Sequence, residues 1–239
     1  MNNPNIIIRI ATTQDKSYAA TITAEMEASA RARGTGIAKR STDYIEQKID
    51  EGKAVIALTA AGEWVGFCYI ETWSHGEYVA NSGLIVSPPY RKSGVAKAIK
   101  RRIFDLSREK FPDAKIFGLT TGLAVMKINS ELGYEPVTYS ELTQDEAFWA
   151  GCQSCVNYEI LKSKERKNCM CTAMLYDPKD HYEPEETKQF FEENKKIFER
   201  LFRFKQWKLL KAFRKKESPR QDGESKLKSR ALFLEWLHF

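Results

Sequence analysis

The chain has 239 residues, with 38 Lys and Arg against 32 Asp and Glu and a net charge of +6. That length can bury a proper core and suits one domain of ordinary size plus an appendage, and no stretch is long and apolar enough to span a membrane. The start M-N-N-P-N lacks the charged-then-apolar design of a secretory signal, so a cytoplasmic protein is expected, and because the basic excess gathers at 188–216, no nucleic-acid partner is expected for the globular part.

In chain order, residues 6–11 read as a first strand, and Thr13 with Asp15 can cap a helix running to about residue 32. Gly34 and Gly36 break it, and Thr42 or Asp43 starts a second helix that ends near Gly52. Residues 54–59 and 64–73 are strand-like runs joined by A-A-G-E, a hairpin signal. The strand at 78–86 ends at two prolines. An amphipathic helix then opens at about Gly94, with Val95, Ile99, Ile103 and Leu106 on one side and Lys97, Lys100, Arg101 and Arg108 facing outward. A strand at 115–121, a short helix at 125–132 closed by Gly133, and candidate strands at 134–139 and 170–176 complete the domain. Strands first in hairpins and then split by a crossover helix predict an α/β fold, a mixed sheet with helices on both sides. The domain is expected at 1–180, with a basic amphipathic helical extension and tail at 181–239.

The junction at 84–103, L-I-V-S-P-P-Y-R-K-S-G-V-A-K-A-I-K-R-R-I, carries the strongest chemical signal. At a helix start the backbone N–H groups of Arg91, Lys92, Ser93, Gly94, Val95 and Ala96 lack intrahelical partners. The helix dipole adds positive potential there, so a pyrophosphate is the natural ligand. Read more plainly, the same stretch is a strand-turn-helix junction with a glycine cap.

The run R-K-S-G-V-A resembles the acyl-CoA pyrophosphate signature of the GNAT superfamily, Arg/Gln-x-x-Gly-x-Gly/Ala, with Arg91, Gly94 and Ala96 in the constrained places. The order of elements is similar to the whole GNAT acyl-CoA N-acyltransferase fold, over roughly the first three quarters of the chain. Three further segments resemble the transferase domain of bacterial N-acetylglutamate synthases: G-I-A-K-R-S-T-D-Y-I-E-Q-K-I at 36–49, L-T-T at 119–121 and L-G-Y-E-P-V at 132–137. The amino-acid-kinase domain of many of those enzymes has no counterpart in this sequence, so a short, kinase-less form is expected.

The resemblance implies transfer of an acetyl or succinyl group from acyl-CoA to the α-amine of L-glutamate or a similar amino acid, the first step of arginine biosynthesis. Lys39, Arg40 and Ser41 then sit where the family binds its amino-acid substrate, and a guanidinium suits a bidentate carboxylate clamp. The plainer alternative is a solvated Lys-Arg pair leading into a Ser-Thr-Asp helix cap. The family also implies the backbone N–H of Val86 as donor to the thioester carbonyl. Its usual glutamate base falls on Ala80 and its usual thiolate-protonating tyrosine on Asn129, so proton removal is assigned to water held by Asn81, Ser82 or Glu77. These departures keep open a non-catalytic acyl-CoA-binding module whose basic tail engages a membrane or partner. Gly122 stands where the family often has arginine after L-T-T. It leaves room for succinyl-CoA, with Lys127 as the nearest cation, unless it merely eases the turn and acetyl-CoA is the donor.

Cys152, Cys155, Cys169 and Cys171 make a C-x-x-C followed by a C-x-C, a set that can hold a structural zinc; the alternative is four unligated thiols. Cys68, inside a strand, reads as a core residue. Past Pro184, Phe190, Ile197, Leu201 and Phe204 line one side of an expected helix and Lys196, Arg200, Arg203 and Lys211 the other. Docking on the domain or across a homodimer is expected for it, with an anionic membrane as the alternative.

Overall fold

The computed structural model describes residues 5–34 and 39–181. The extension beyond residue 181, with its expected amphipathic helix, homodimer or membrane contact and tail, lies outside the described residues.

Seven strands form a single sheet in the order β1-β2-β3-β4-β5-β7-β6. They are β1 (Ile6–Ile10), β2 (Ala54–Thr59), β3 (Trp64–Trp73), β4 (Tyr78–Val86), β5 (Lys115–Thr120), β6 (Glu135–Val137) and β7 (Thr172–Tyr176). Neighbours from β1 to β4 are antiparallel, β4 and β5 are parallel, and β5, β7 and β6 are again antiparallel. The parallel step needs a crossover, which α3 (Val95–Lys110) supplies. This is the mixed sheet that alternating hairpins and a long amphipathic helix predict.

Helices α1 (Ala19–Arg33) and α2 (Thr42–Asp50) pack on one face of β1 to β4. There Ile22, Met26, Ile45 and Ile49 bury against Ile56, Phe67, Tyr69 and Ile85. On the opposite face α3 sets Val95, Ile99 and Ile103 against Val55, Val65, Cys68, Ile70 and Val79, so Cys68 is a core residue. The alternation of strand side chains explains why β2 is buried throughout: both its faces are covered. Helix α4 (Leu123–Glu131) follows β5, and two short helices, α5 (Glu146–Ala150) and α6 (Tyr158–Ser163), lie in a third cluster with Phe117, Trp149 and Leu175.

Three boundaries differ from the sequence expectation. The segment at Thr13–Tyr18 is a 3₁₀ helix, because Asp15 turns back to accept the Thr12 N–H at 2.7 Å and bind the Arg9 guanidinium at 2.7 and 2.8 Å. β6 spans just Glu135–Val137, since Pro136 withholds a ladder donor. Helices α5 and α6 are too short to show a helical period and were not expected.

Candidate active site

Parallel pairing between β4 and β5 is confined to Tyr78, Val79 and Ala80 against Lys115, Ile116 and Phe117. Past Ala80 the strands part. β5 stays with β7 as far as Thr120, while β4 follows β3 to Val86. The divergence coincides with a β-bulge on β4: Phe67 pairs with Ile85 and Tyr69 with Ser82, so Gly83 and Leu84 together face Cys68. Gly83 has φ +65°, and a Cβ on it would lie 2.3 Å from a carbon of the Tyr69 ring, so a side chain there fails on both conformation and space. Gly83 inside an otherwise regular strand pattern was the sequence signal for this bulge.

The wedge between the strands opens into a cavity of about 620 Å³. Lys39, Arg40, Ser41, Asn81 and Ser82 all line it, but Val86 does not; Gly83 and Leu84 on the bulge do. The Ser87 N–H bonds to the Val65 carbonyl at 2.9 Å, so antiparallel alternation turns the Val86 N–H away from β3. Glu77 is exposed and lies outside the cavity lining, which removes it as a water holder.

On the α2 side, Lys39, Arg40 and Ser41 take three different roles. Ser41 is the N-cap of α2, its hydroxyl accepting the Tyr44 N–H at 3.2 Å, and Lys39 is exposed. Arg40 turns inward: Nη2 donates to Glu71 Oε1 at 3.0 Å and Nε donates to Tyr69 Oη at 3.0 Å. Tyr44 Oη donates to the same Glu71 oxygen at 2.5 Å, and the Arg40 guanidinium lies 5.1 Å from the centre of the Tyr44 ring. Burial alone would make Arg40 less basic, but Tyr69 and Glu71 outweigh it and hold the guanidinium charged. The phenols of Tyr44 and Tyr69 are pushed well above their ordinary range, first by burial and next by Glu71, so both remain hydrogen-bond donors. Sequence reading passed over Glu71. Its signal was a carboxylate inside the apolar run W-V-G-F-C-Y-I-E-T-W, where a charge must find a partner.

On the α3 side the expectation for Lys100 is corrected: it does not face outward but is 2% exposed and lines the cavity. The buried arc of α3 is wider than its four apolar positions define, because Phe104 and Ser107 join it and Lys100 falls between them. Lys100 Nζ lies 3.5 Å from Asn81 Oδ1 and 5.2 Å from the centre of the Tyr134 ring. Asn81 Oδ1 also accepts from Tyr134 Oη at 3.0 Å, while Asn81 Nδ2 donates to Ser107 Oγ at 2.7 Å. Asn81 is therefore part of this buried network through its Oδ1 and one Nδ2 hydrogen, which leaves its second Nδ2 hydrogen beside the cavity. Burial pushes the Lys100 ammonium down to about 8, partly opposed by nearby Cys68. Asn129 completes this side. It is 1% exposed, its Nδ2 faces Met174 Sδ at 3.7 Å, and its Oδ1 has no hydrogen-bond partner among the described residues.

The pyrophosphate candidates form an exposed rim beyond the cavity. Gly94 caps α3 with φ +86°, and Lys92 also has positive φ, so the turn presents the first N–H groups of the helix outward. A Cβ at Gly94 would meet no protein atom within 4 Å, so conformation rather than crowding calls for glycine there. Arg91 is engaged by the protein itself, donating to Val86 O at 3.0 Å, Glu25 Oε1 at 2.7 Å and Ser29 Oγ at 2.8 Å. Ser93 Oγ donates to Tyr90 O at 2.6 Å, Val95 packs into the core and Ala96 is half-buried. Lys97 is paired with Glu131 at 2.7 Å.

Cys152, Cys155, Cys169 and Cys171 border one small apolar cavity of about 30 Å³, with Leu119, Tyr139 and Leu161 among its walls. The zinc expectation finds no support: no three His, Cys, Asp or Glu side chains among the described residues form a group suited to hold a metal. The Cys155 sulfur accepts the Asn157 N–H at 3.4 Å, and Cys169 Sγ lies 3.9 Å from Asn157 O. Burial first, and the neighbouring thiols next, push Cys152 up to about 11 and Cys171 to about 12.

Residues 23–125 match the model of the Acetyltransferase (GNAT) family. No curated protein matches the sequence. Among solved structures, N-acetylglutamate synthase from Neisseria gonorrhoeae, complexed with coenzyme A and N-acetyl-glutamate, is similar at 19% identity and a TM-score of 0.51. That likeness covers 74% of this chain and 36% of the synthase, so the chain spans little more than a third of the synthase's length. The putative acetyltransferase yncA from Salmonella typhimurium, with acetyl-CoA, gives 16% identity and 0.51 over 75% of this chain and 98% of that one. Rv2747 from Mycobacterium tuberculosis, in complex with CoA, gives 17% and 0.50 over 72% and 98%. These likenesses show that the chain has the fold of these structures, and residues 23–125 are similar to the Acetyltransferase (GNAT) family.

Proposed function

We propose that the chain is an acyl-CoA-dependent N-acyltransferase that acetylates the α-amine of glutamate or a similar small amino acid. The Arg40–Glu71 pair carries the reading. It sets a cation and an anion 3.0 Å apart at the α2 side of the wedge, complementary to an amino-acid zwitterion. Arg40 Nη1, whose hydrogen bond among the described residues is a long 3.4 Å one to Lys39 O, is the donor offered to a substrate carboxylate, and Lys39 at the rim suits a second carboxylate. Glu71 receives the ammonium and takes its proton, directly or through one water, while Tyr44 and Tyr69 hold the pair in register.

The residues present fit acyl-CoA. The α3 start offers backbone N–H groups to a pyrophosphate, the wedge gives the pantetheine arm a path between β4 and β5, and the orphaned Asn129 Oδ1 can accept one of its amide N–H groups. When bound, acyl-CoA supplies the activated thioester. Backbone N–H groups on the open side of β4 are suited to polarise its carbonyl. Acetyl is taken as the donor because Lys127, the cation expected to meet a succinyl carboxylate, is exposed and does not line the cavity. A place at the start of arginine synthesis is supported by the segments at 36–49, 119–121 and 132–137 that resemble N-acetylglutamate synthases.

The test is thiol release from acetyl-CoA in the presence of a panel of amino acids. Release that depends on glutamate or a near relative is expected. Tight CoA binding without release for any acceptor would favour the non-catalytic binding module instead.

A further inference from the structure

We infer that Lys100 is the general acid that delivers a proton to the departing CoA sulfur, a role that rests on the acyltransferase reading above. The first observation is the residue's own setting. Lys100 is buried yet borders the wedge cavity, and among the described residues no carboxylate pairs with it; its polar partner is Asn81 Oδ1. A lysine so placed is unfavourable for stability, so a plain structural role leaves it unexplained. Asn129, standing where the fold's usual proton-donating tyrosine would be, shares the same side of the cavity and carries no transferable proton.

The second observation is the disposition across the sheet. Ile70 and Glu71 are consecutive on β3, as are Ala80 and Asn81 on β4, and strand neighbours point to opposite faces. Glu71 therefore serves the α2 side and Lys100, through Asn81, the α3 side. A proton acceptor and a proton donor flank the opening from opposite faces, as an amine that enters from one side and a thiol that leaves on the other require.

The balance closes. The acceptor nitrogen bonds to the carbonyl carbon, the carbon–sulfur bond breaks, and the electron pair leaves on sulfur. The Lys100 ammonium gives that sulfur its proton and becomes a neutral amine; the acceptor gives up two protons, the first through Glu71 to water before attack and the second to Glu71 after it, so one proton per turnover is released to solvent. Exchange with water in the open cavity then restores both groups. The groups facing the ammonium are Cys68 from β3, Asn81 from β4, Ser107 on α3 and the Tyr134 phenol, and burial keeps that thiol and phenol protonated, with Cys68 pushed up to about 11. Lys100 is thus the group of this set that titrates near neutrality, at about 8.

Lys100→Met keeps the length of the side chain and removes the proton. With acetyl-CoA and the best acceptor, kcat should fall by about 10²–10⁴-fold, whereas phenyl thioacetate, whose thiol leaves readily as the anion, should lose less than about threefold. Wild-type kcat should decline above about pH 8, and the variant should lack that limb. A readout independent of turnover is the lysine side-chain NMR signal: one resonance titrating near 8 should be present in the wild type and missing in Lys100→Met. Equal losses with both donors, or a Lys100 signal that titrates only above pH 10, would overturn the role. A wild-type protein that binds CoA but never releases thiol would overturn the acyltransferase reading, and this role with it.

Discussion

Glu71 stands directly opposite Ala80 across β3 and β4, so its carboxylate emerges on the face of the sheet where Ala80 supplies only a methyl group. Directly paired residues hold their Cβ atoms roughly 5 Å apart, within reach of the same bound amine. In the proposed reaction the base is thus supplied from β3, at the position facing Ala80.

Glu71→Gln keeps the shape and the Tyr44 contact but removes the base. We expect kcat to fall by about 10²-fold or more with little change in the KM for acetyl-CoA, read from steady-state kinetics. Ala80→Glu introduced into a Glu71→Ala background should restore part of the rate. Full activity in Glu71→Gln would show that the base lies elsewhere.

Arg40→Ala should raise the KM for the amino acid by roughly tenfold to a hundredfold while leaving that for acetyl-CoA unchanged. It should also destabilise the fold, because Glu71 is only 5% exposed and would lose its ion-pair partner, a change that typically costs about 3–5 kcal/mol. Adding Glu71→Gln should recover much of that stability in chemical denaturation but none of the substrate affinity. An acetyl-CoA KM that rises as much as the amino-acid KM would assign Arg40 a general structural role.

The Lys100 ammonium has a pKa of about 8 in the folded protein against 10.5 for the free side chain. Between these values the unfolded chain holds a proton that the native state has released, so stability rises with pH there. The penalty is complete below about pH 8 and fades as pH approaches 10.5. Lys100→Met should therefore be more stable than wild type at pH 7, by about 3 kcal/mol at ~1.4 kcal/mol per pKa unit, with the gap closing toward pH 10. Denaturant unfolding at several pH values measures it, and a gap that does not change with pH would mean that Lys100 is not held at a lowered pKa.

Gly94→Val and Gly94→Asn separate conformation from bulk. Since a Cβ at Gly94 meets nothing in the protein, the difficulty is φ +86°, which asparagine tolerates far better than a β-branched residue. Calorimetry should find CoA binding largely kept in Gly94→Asn and lost in Gly94→Val. Unchanged affinity in Gly94→Val would mean that the α3 start does not hold the pyrophosphate.

The strands, the long crossover helix and the glycine-capped turn that opens it were legible in the sequence because each is a local property. Period-two runs such as 54–59, the stripe Val95, Ile99, Ile103 and Leu106, and Gly94 at a helix start all declare themselves within a few residues. The inward turn of Arg40 was not legible, since K-R-S-T-D reads equally well as a solvated helix cap, which is what Ser41 became. The opposition of Glu71 and Ala80 depends on the β3–β4 register, and a bulge at Gly83–Leu84 shifts that register by one residue. Lys100 was misassigned for a related reason. A helix buries as wide an arc as the surfaces packed against it, and those surfaces come from strands distant in the sequence. For this protein the sequence by itself determined the main strands, the crossover helix and the glycine-capped turn before it. Only the tertiary structure decided which charged side chains are taken out of water beside the wedge, because desolvation and partner choice depend on residues that meet only when the sheet is assembled.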